Sequence, residues 1–118
     1  MSEEVNQTIF GKIIRGELDA DKVFEDDDFL AFRDINPAAP VHILIIPKKH
    51  IVNLLETSGN DGPILGEMMV LAGKIAKAEG LEESGFRFVI NNGAGVGQSV
   101  FHIHGHILGG RDFSWPPG

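Results

Sequence analysis

Cysteine is absent from the 118 residues of this sequence. Its absence excludes a disulfide scaffold, a Cys-x-x-Cys redox site, a thiolate zinc site and catalysis by a cysteine nucleophile. Long hydrophobic runs are absent too, because apolar stretches such as residues 43–46 fall far short of the roughly 18 residues that a spanning helix needs. We therefore expect a fold that is held by packing alone and that has no membrane span.

Positive charge is also scarce. The chain has 10 lysines and arginines against 17 aspartates and glutamates, a net charge of −7. This balance argues against sequence-independent binding to duplex nucleic acid, where basic side chains must displace counterions from phosphates. Residues 86–118 hold two arginines and one aspartate, so if an anionic ligand binds, it is expected in that part. Residues 1–4 are acidic, unlike the start of a secretory signal, and the expected location is cytoplasmic.

Length and composition predict a single domain over residues 1–118. Hydrophobic residues make up 42% and charged residues 23%, which is typical of globular proteins. Apolar spacing predicts helices over residues 8–16 and 63–79. Short apolar runs predict strands over residues 22–25, 29–33, 42–46, 86–90 and 100–108. Hairpin-scale connections between most neighbours favour an α+β fold with an antiparallel sheet and helices on one face.

Three of the five histidines stand at positions 102, 104 and 106. Alternate side chains of an extended strand share a face, so this spacing predicts three imidazoles in a row, roughly 6.6 Å apart. Imidazole is the side chain whose ordinary pKa, about 6.5, lets it act as an acid, a base or a nucleophile near neutral pH. The row predicts chemistry at His102, His104 and His106.

Two other interpretations of these histidines stay open at this point. One is that they are incidental strand residues. The other is that His-x-His chelates zinc, with a third ligand from His42 or His50. No obvious carboxylate on the same strand is available to orient zinc ligands, which weighs against the second interpretation. The acidic triplet at 26–28 is more typical of a turn than of a calcium loop.

A glycine-rich loop, residues 91–99, precedes the histidines. Three glycines within residues 93–97 let the backbone approach a ligand closely, and successive free N–H groups form an anion-binding concavity. Together with the histidines, the loop favours phosphoryl or nucleotidyl transfer. A neutral imidazole attacks phosphorus, N–H groups stabilise the oxygens, and water later hydrolyses the phosphorus–nitrogen intermediate. Ser99 is well placed to donate to the leaving group.

The segment His102–Leu108 resembles the histidine-triad motif, His-x-His-x-His followed by two apolar residues. The resemblance continues over residues 8–14, 31–37, 39–42, 46–50, 108–111 and 115–118. The chain is similar to the Hint branch of the histidine-triad family, the nucleoside phosphoramidate hydrolases. The resemblance implies an enzyme that cleaves the P–N bond of purine nucleoside 5′-phosphoramidates through a covalent nucleotidyl-histidine intermediate. It implies that no cofactor and no metal are required.

The same resemblance implies a fold and an assembly. The fold would be α+β, with a five-stranded antiparallel sheet and two helices, and the sheet would extend across a homodimer. Residues 112–118 would form an extended tail that docks at the dimer interface, which would give Trp115 a place near the partner's site. The expected partners are a purine nucleoside phosphoramidate or monophosphate and a second copy of the chain, with no nucleic acid and no membrane.

The family's catalytic roles transfer to matching positions. His104, the middle histidine, would be the nucleophile, and His106 would contact phosphate. His102 completes the triad, His42 would be a fourth, supporting histidine, and Ser99 would assist the leaving amine.

Further positions are implied to bind the nucleotide. Asp34 would hold the ribose hydroxyls, and apolar side chains would surround the base. The full implied set is Ile9, Phe10, Ile13, Phe32, Asp34, Ile35, Asn36, Leu44, Asn91, Gly97, Gln98, Ser99, His104, His106 and Trp115. Gly105 stands where the family usually has an apolar residue, and a glycine there permits a bulge that would re-aim His106. The alternatives to the enzyme are a non-catalytic purine-nucleotide-binding or scaffold protein and a zinc-binding protein that uses the histidine strand.

Overall fold

The computed structural model describes residues 5–118. Residues 1–4, whose acidic character supported the expected location, lie outside the described residues. Helix α1 spans Ile9–Ile14 and helix α2 spans Gly62–Ala78. The strands are β1 (Lys22–Glu25), β2 (Phe29–Arg33), β3 (Val41–Pro47), β4 (Phe86–Val89) and β5 (Gly105–Gly109).

All five strands form one sheet in the order β1-β2-β3-β5-β4, and every neighbouring pair is antiparallel. The predicted α+β class, with five antiparallel strands and two α-helices, is confirmed. Within residues 5–118, neither helix has the length and apolar content needed to cross a membrane.

Helix α1 begins and ends where local chemistry dictates. The Thr8 hydroxyl accepts a hydrogen bond from the Gly11 N–H at 3.1 Å and so caps the first turn. Gly16 adopts a φ of +78°, which stops the helix because only glycine takes that conformation without strain. The buried side of this short helix consists of Phe10, Gly11 and Ile13.

The two helices cover opposite faces of the sheet, so the prediction that both lie on one face is wrong. Strand β2 is buried on both sides: Phe29 and Ala31 pack in the cluster beneath α2, whereas Leu30 and Phe32 pack in the cluster beneath α1. Strand β3 alternates in the same way. A strand that is apolar on both faces must be covered on both, and the short α1 supplies part of the second cover.

Strand β5 begins at Gly105, so the predicted start at residue 100 is wrong and only His106 of the three histidines lies in a strand. Pairing with β3 ends at Ile45 and Gly105. Before that point the chain turns to other partners, because the Ile103 N–H donates to the carbonyl of Ile51 at 2.6 Å. The backbone hydrogen bonds that would have extended the ladder are therefore used elsewhere.

Gly105 does not form the bulge that a glycine there permits. Its pairing with Ile45 continues in unbroken register to the pair of Val41 and Gly109. A Cβ atom on Gly105 would lie 2.1 Å from Cζ of Phe88, so the Phe88 ring occupies the space that a side chain at position 105 would need. The aim of His106 is that of a regular strand.

The tail after β5 is irregular and is held to its own chain. Arg87 and Arg111 lie 5.2 and 4.1 Å from the centre of the Phe113 ring, and Arg87 also donates to the carbonyl of Ser114. Trp115 is 83% exposed. Docking of this tryptophan against a second subunit stays a prediction.

Candidate active site

The register of the sheet places three of the predicted site residues in one row. Phe32 on β2 pairs with Leu44 on β3, and Leu44 pairs with His106 on β5. Directly opposed residues of antiparallel strands share a face. This row lies on the α1 face, since Phe32 and Leu44 pack with Phe10 of that helix. An apolar floor therefore continues directly into an imidazole.

A cavity of about 430 Å³ lies between this row, helix α1 and the segment that precedes β5. Its volume falls in the range of about 300–1,000 Å³ that is usual for small-molecule sites. The lining is mostly apolar and includes two imidazoles, two carboxylates and a guanidinium: Ile9, Phe10, Ile13, Leu18, Asp19, Ala20, Phe32, Arg33, Asp34, Ile35, Leu44, Ser99, Val100, His104 and His106.

His102 is fully buried, and both of its ring nitrogens have partners. Nε2 lies 2.7 Å from the carbonyl oxygen of Pro47, which can only accept, so Nε2 carries the proton. Nδ1 lies 2.8 Å from Nδ2 of Asn6, which can only donate. Burial lowers the pKa of His102 from 6.5 to about 4, so this ring is neutral at pH 7.

His104 is held in the opposite tautomer. Its Nδ1 lies 2.8 Å from the backbone carbonyl oxygen of His102 and must donate to it. The lone pair is then on Nε2, in a side chain that lines the cavity. Burial lowers the pKa of His104, which keeps the ring neutral near pH 7. A neutral imidazole with a free lone pair can act as a nucleophile or a base.

His106 receives its tautomer from a neighbouring histidine. The Ala38 N–H donates to Nδ1 of His42 at 3.0 Å, so the proton of His42 is on Nε2. That Nε2–H lies 2.9 Å from Nδ1 of His106 and donates to it. The proton of His106 is consequently on its own Nε2. Within residues 5–118 this Nε2 is the one buried side-chain nitrogen or oxygen that has no hydrogen-bond partner.

These assignments give the two cavity-lining imidazoles complementary roles. The rings of His104 and His106 lie 4.9 Å apart. His104 offers a lone pair and His106 offers an N–H donor. Burial, reinforced by the neighbouring histidines, lowers the pKa of His106 to about 4, and burial also lowers that of His42, so the donor is a neutral imidazole. The pair can attack one atom while it hydrogen-bonds an adjacent oxygen.

One group of side chains has the spacing of a metal site. Ligand atoms of Asp34, His42 and His106 all lie within 4.8 Å of one another. The donor chemistry does not fit a metal, because Nδ1 of His42 accepts from a backbone N–H and its Nε2 therefore carries a proton instead of a lone pair. The same proton is donated to Nδ1 of His106, so the lone pair of that nitrogen is also engaged. The group fits a hydrogen-bond chain better than a metal centre.

Asp34 is placed at the rim of the cavity by the end of β2. One carboxylate oxygen accepts from the Asn36 N–H at 2.8 Å, which closes a tight local turn. The other lies 3.4 Å from Nε2 of His42. The carboxylate is partly exposed and lines the cavity, so it remains available to accept hydrogen bonds from a ligand.

Gln98 is buried and is committed to the protein itself. Its Oε1 accepts from the Gly93 N–H and from the side chain of Asn53, and its Nε2 donates to the carbonyls of Val52 and Val100. The side chain shapes the glycine loop from inside and does not line the cavity. Direct contact between the Gln98 side chain and a nucleotide stays a prediction that would require these bonds to be released.

Only one of the remaining residues implied to bind the nucleotide lines the cavity. Ser99 lines the cavity. Gly97 has a φ of +106°, a conformation that favours glycine, and Asn91 lies beside it, since a Cβ there would be 3.5 Å from the Asn91 amide nitrogen. Asn91, Gly97, Asn36 and the exposed Trp115 are all outside the cavity lining, so their contacts with a nucleotide stay predictions.

Several contributors to the site were missed by sequence reasoning. Asn6 contacts His102, and five further residues line the cavity: Leu18, Asp19, Ala20, Arg33 and Val100. None belongs to a chemical motif, and the side chain of Arg33 is engaged with Glu79 at the end of α2. The only available signal was position next to α1, β2 or the glycine loop.

Comparisons with known proteins agree with this geometry. The profile of the HIT domain matches residues 15–113. A 14 kDa zinc-binding protein of Brassica juncea is 52% identical over 113 residues, which cover 94% of this chain and 99% of that protein. The crystal structure of a HIT family hydrolase from Legionella pneumophila superposes with a TM-score of 0.91 at 53% identity and covers 93% of this chain and 98% of that one.

A more distant structure carries a nucleotide-binding name. The histidine triad nucleotide-binding protein of Candida albicans superposes with a TM-score of 0.79 at 32% identity, and the match covers 93% of this chain and 83% of that one. The fold described above is therefore shared with a hydrolase and with a nucleotide-binding protein.

Proposed function

The chain belongs to the HIT domain family, and from that premise we propose that it is a hydrolase of purine nucleoside 5′-phosphoramidates. The coarser statement, a hydrolase and nucleotide-binding fold, comes from the comparisons. The substrate class and the reaction are our proposal. The observation that carries them is the buried, unpartnered Nε2–H of His106 beside the free Nε2 lone pair of His104.

The first chemical step would form a covalent intermediate. Nε2 of His104 attacks phosphorus, a bond forms between that nitrogen and phosphorus, and the bond from phosphorus to the amine breaks. The departing amine takes a proton from the Ser99 hydroxyl, which is exposed and regains a proton from solvent. The Nδ1–H of His104 remains hydrogen-bonded to the carbonyl of His102, and this contact stabilises the positive charge that develops on the attacking ring.

Hydrolysis of the intermediate would complete the cycle. A water molecule attacks phosphorus and releases a proton to solvent, the bond between Nε2 of His104 and phosphorus breaks to return the neutral imidazole, and the nucleoside monophosphate leaves. In both steps the Nε2–H of His106 donates to a non-bridging phosphate oxygen, where negative charge increases. His42 keeps that proton on Nε2 because its own Nε2–H already fills Nδ1 of His106. No step requires a metal or a cofactor.

The cavity would select the nucleoside part of the substrate. Phe10 and Phe32 meet edge to face with ring centres 5.5 Å apart and form an apolar wall suited to a planar base. Asp34, at the rim, would accept hydrogen bonds from the two ribose hydroxyls. The base would then lie on the α1 face, and the phosphate would lie over His104 and His106.

The assembly and location are further proposals. We infer a homodimer in which Trp115 approaches the partner's site. Its 83% exposure in the single chain is compatible with burial against another subunit. The cytoplasmic location stays a prediction from the sequence.

The proposal is tested by hydrolysis of adenosine 5′-phosphoramidate by the parent and by His104→Ala, each with and without a chelator. We expect turnover by the parent that the chelator does not change, and no turnover by the variant. Quenching in alkali during turnover, which preserves the acid-labile bond between phosphorus and histidine nitrogen, should trap the parent with one added nucleotidyl group, and mass spectrometry should find none on His104→Ala.

Each alternative predicts a different outcome of the same assay. A non-catalytic nucleotide-binding protein would bind purine monophosphate with saturation in both chains and would turn over in neither. A zinc-dependent protein would lose its activity or its fold in chelator. An inert parent that still binds purine monophosphate would overturn the enzyme proposal.

A further inference from the structure

We propose that Asn6 is a positioning residue for the active site: its side-chain amide ties the start of helix α1 to His102 and fixes which nitrogen of that ring carries the proton. The inference rests on the proposed function for its effect on turnover, but the hydrogen-bond chain that it describes is testable without any substrate. Neither the sequence motifs nor the family resemblance assigned a role to this residue.

The orientation of the Asn6 amide is set by the backbone. Its Oδ1 accepts from the Thr8 N–H at 3.0 Å and from the Thr8 hydroxyl at 2.7 Å. A backbone N–H can only donate, so the oxygen must face Thr8 and the NH₂ group must face His102. Nδ2 then donates to Nδ1 of His102 at 2.8 Å. One amide thus serves as a helix-start acceptor on one side and as a donor to the triad on the other.

The surroundings leave little freedom for Asn6. The carbonyl of Asn6 accepts from the Arg15 guanidinium at 2.6 Å. Gly11 packs against the same residue so closely that a Cβ there would lie 2.4 Å from the Asn6 carbonyl oxygen and 2.5 Å from its Cγ. The glycine in α1 is therefore required by close approach, and the segment before the helix is held against its first turn.

The consequence for catalysis passes through His102. With Nδ1 accepting from Asn6 and Nε2 donating to Pro47, the ring is held at both ends. The backbone carbonyl of the same residue accepts from Nδ1 of His104 and so directs its lone pair to Nε2. A change in the position of residue 102 displaces the acceptor that orients the nucleophile.

The same contact joins the catalytic part of the site to the base-binding part. Phe10, in the helix that Asn6 and Thr8 begin, meets the rings of His102 and His104 edge to face at 6.0 and 5.0 Å. Asn6 therefore sets the distance between an apolar wall of the cavity and the imidazoles. Loss of its amide should affect the chemical step and should leave most of the apolar binding surface in place.

Replacement by aspartate isolates the donor function. Asn6→Asp keeps the oxygen that accepts from Thr8 and changes only the group that faces His102, from a donor to an acceptor. A carboxylate there accepts a hydrogen bond only when Nδ1 of His102 carries a proton, so the substitution favours the imidazolium form and raises the pKa of the ring. The other titratable groups against this ring are His50, which stacks on it at 5.1 Å, and His104.

The primary test is the protonation of His102, measured by nitrogen-15 NMR of the imidazole rings in the parent, Asn6→Asp, Asn6→Ala and Gln7→Ala. We expect a neutral Nε2–H tautomer at pH 7 in the parent and in Gln7→Ala, the control at the exposed neighbouring position. Asn6→Asp should raise the pKa of His102 by roughly 1–3 units, the effect of an adjacent opposite charge. A parent ring protonated on Nδ1, or an unchanged titration in Asn6→Asp, would overturn the inference.

The second test is steady-state hydrolysis of adenosine 5′-phosphoramidate by the same four proteins. Asn6→Ala should lower kcat roughly tenfold, the effect of losing one hydrogen bond from the chain that orients His104, with KM changed less than about twofold. An Asn6→Ala variant with the parent's kcat would refute the positioning role. A parent without turnover would refute the proposed function alone, because the NMR result stands independently of it.

Discussion

Acidification from pH 7 to pH 5 should destabilise this protein through its buried imidazoles. Burial lowers the pKa values of His102 and His106 from 6.5 to about 4. Between those values the unfolded chain binds protons that the folded chain does not, so the stability present above pH 6.5 is lost as the pH falls toward 4. At pH 5 the difference of 1.5 units corresponds to about 2 kcal/mol for each ring, since one unit is worth about 1.36 kcal/mol.

The two rings together should therefore cost about 4 kcal/mol, a large part of the roughly 5–15 kcal/mol by which domains are stable. Two carboxylates that form salt bridges keep their charge over this pH range. Salt bridges and hydrogen bonds lower the pKa values of Glu25 and Asp61 from 4.5 and 3.8, so both stay ionised at pH 5.

Urea unfolding at the two pH values measures the effect. With a slope of about 2 kcal/mol per molar urea, the midpoint should fall by about 2 M. His102→Phe should lose about 2 kcal/mol of this pH dependence, because one of the two rings with a pKa of about 4 is gone. If that variant does not fold, the proton NMR titration of the parent rings gives the two pKa values directly. A midpoint that moves by less than about 0.5 M would refute the assignment of neutral buried rings.

Three further predictions concern single side chains. Gly105→Leu should destabilise the fold by about 1–3 kcal/mol through overpacking against Phe88, and thermal unfolding of the double variant with Phe88→Ala should recover part of that loss. His42→Phe should lower kcat/KM for the phosphoramidate at least tenfold, because Nδ1 of His106 loses its hydrogen-bond donor. The size is roughly the effect of one lost hydrogen bond. An unchanged kcat/KM would contradict the proton assignment. Gln98→Glu should raise KM and lower Tm, because a buried carboxylate would face the two backbone carbonyls that now accept hydrogen bonds from the amide. The substitution is isosteric, so the length of the loop and the volume of the side chain do not change.

Local patterns predicted much of the fold. The helical spacing over residues 63–79 matches α2 at Gly62–Ala78, and the run from Phe29 to Arg33 is a strand as predicted. These elements are fixed by neighbours in sequence, through apolar periodicity and turn residues. The arrangement of helices on two faces was not predicted, because it depends on which side of β2 each helix covers.

The site was predicted less evenly, for a related reason. The three histidines and the apolar residues of α1 and β2 that line the cavity were identified from spacing and from the family resemblance. The start of β5 was not, because it depends on a hydrogen bond from the Ile103 N–H to the carbonyl of Ile51, far away in the chain. The contact of Asn6 with His102 joins residues 96 positions apart and has no local signature.

The two backbone amides that begin the hydrogen-bond chains, those of Thr8 and Ala38, have a consequence for protein engineering. Amide protons do not ionise in the physiological pH range, so the tautomers that they impose do not depend on buffer, on an added cation or on a redox partner. Transplanting the three histidines onto another sheet would therefore transfer the side chains without the hydrogen bonds that fix their tautomers. A designer who wanted a working copy would have to carry over both peptide segments and their relay side chains, Asn6 and His42, as a single unit.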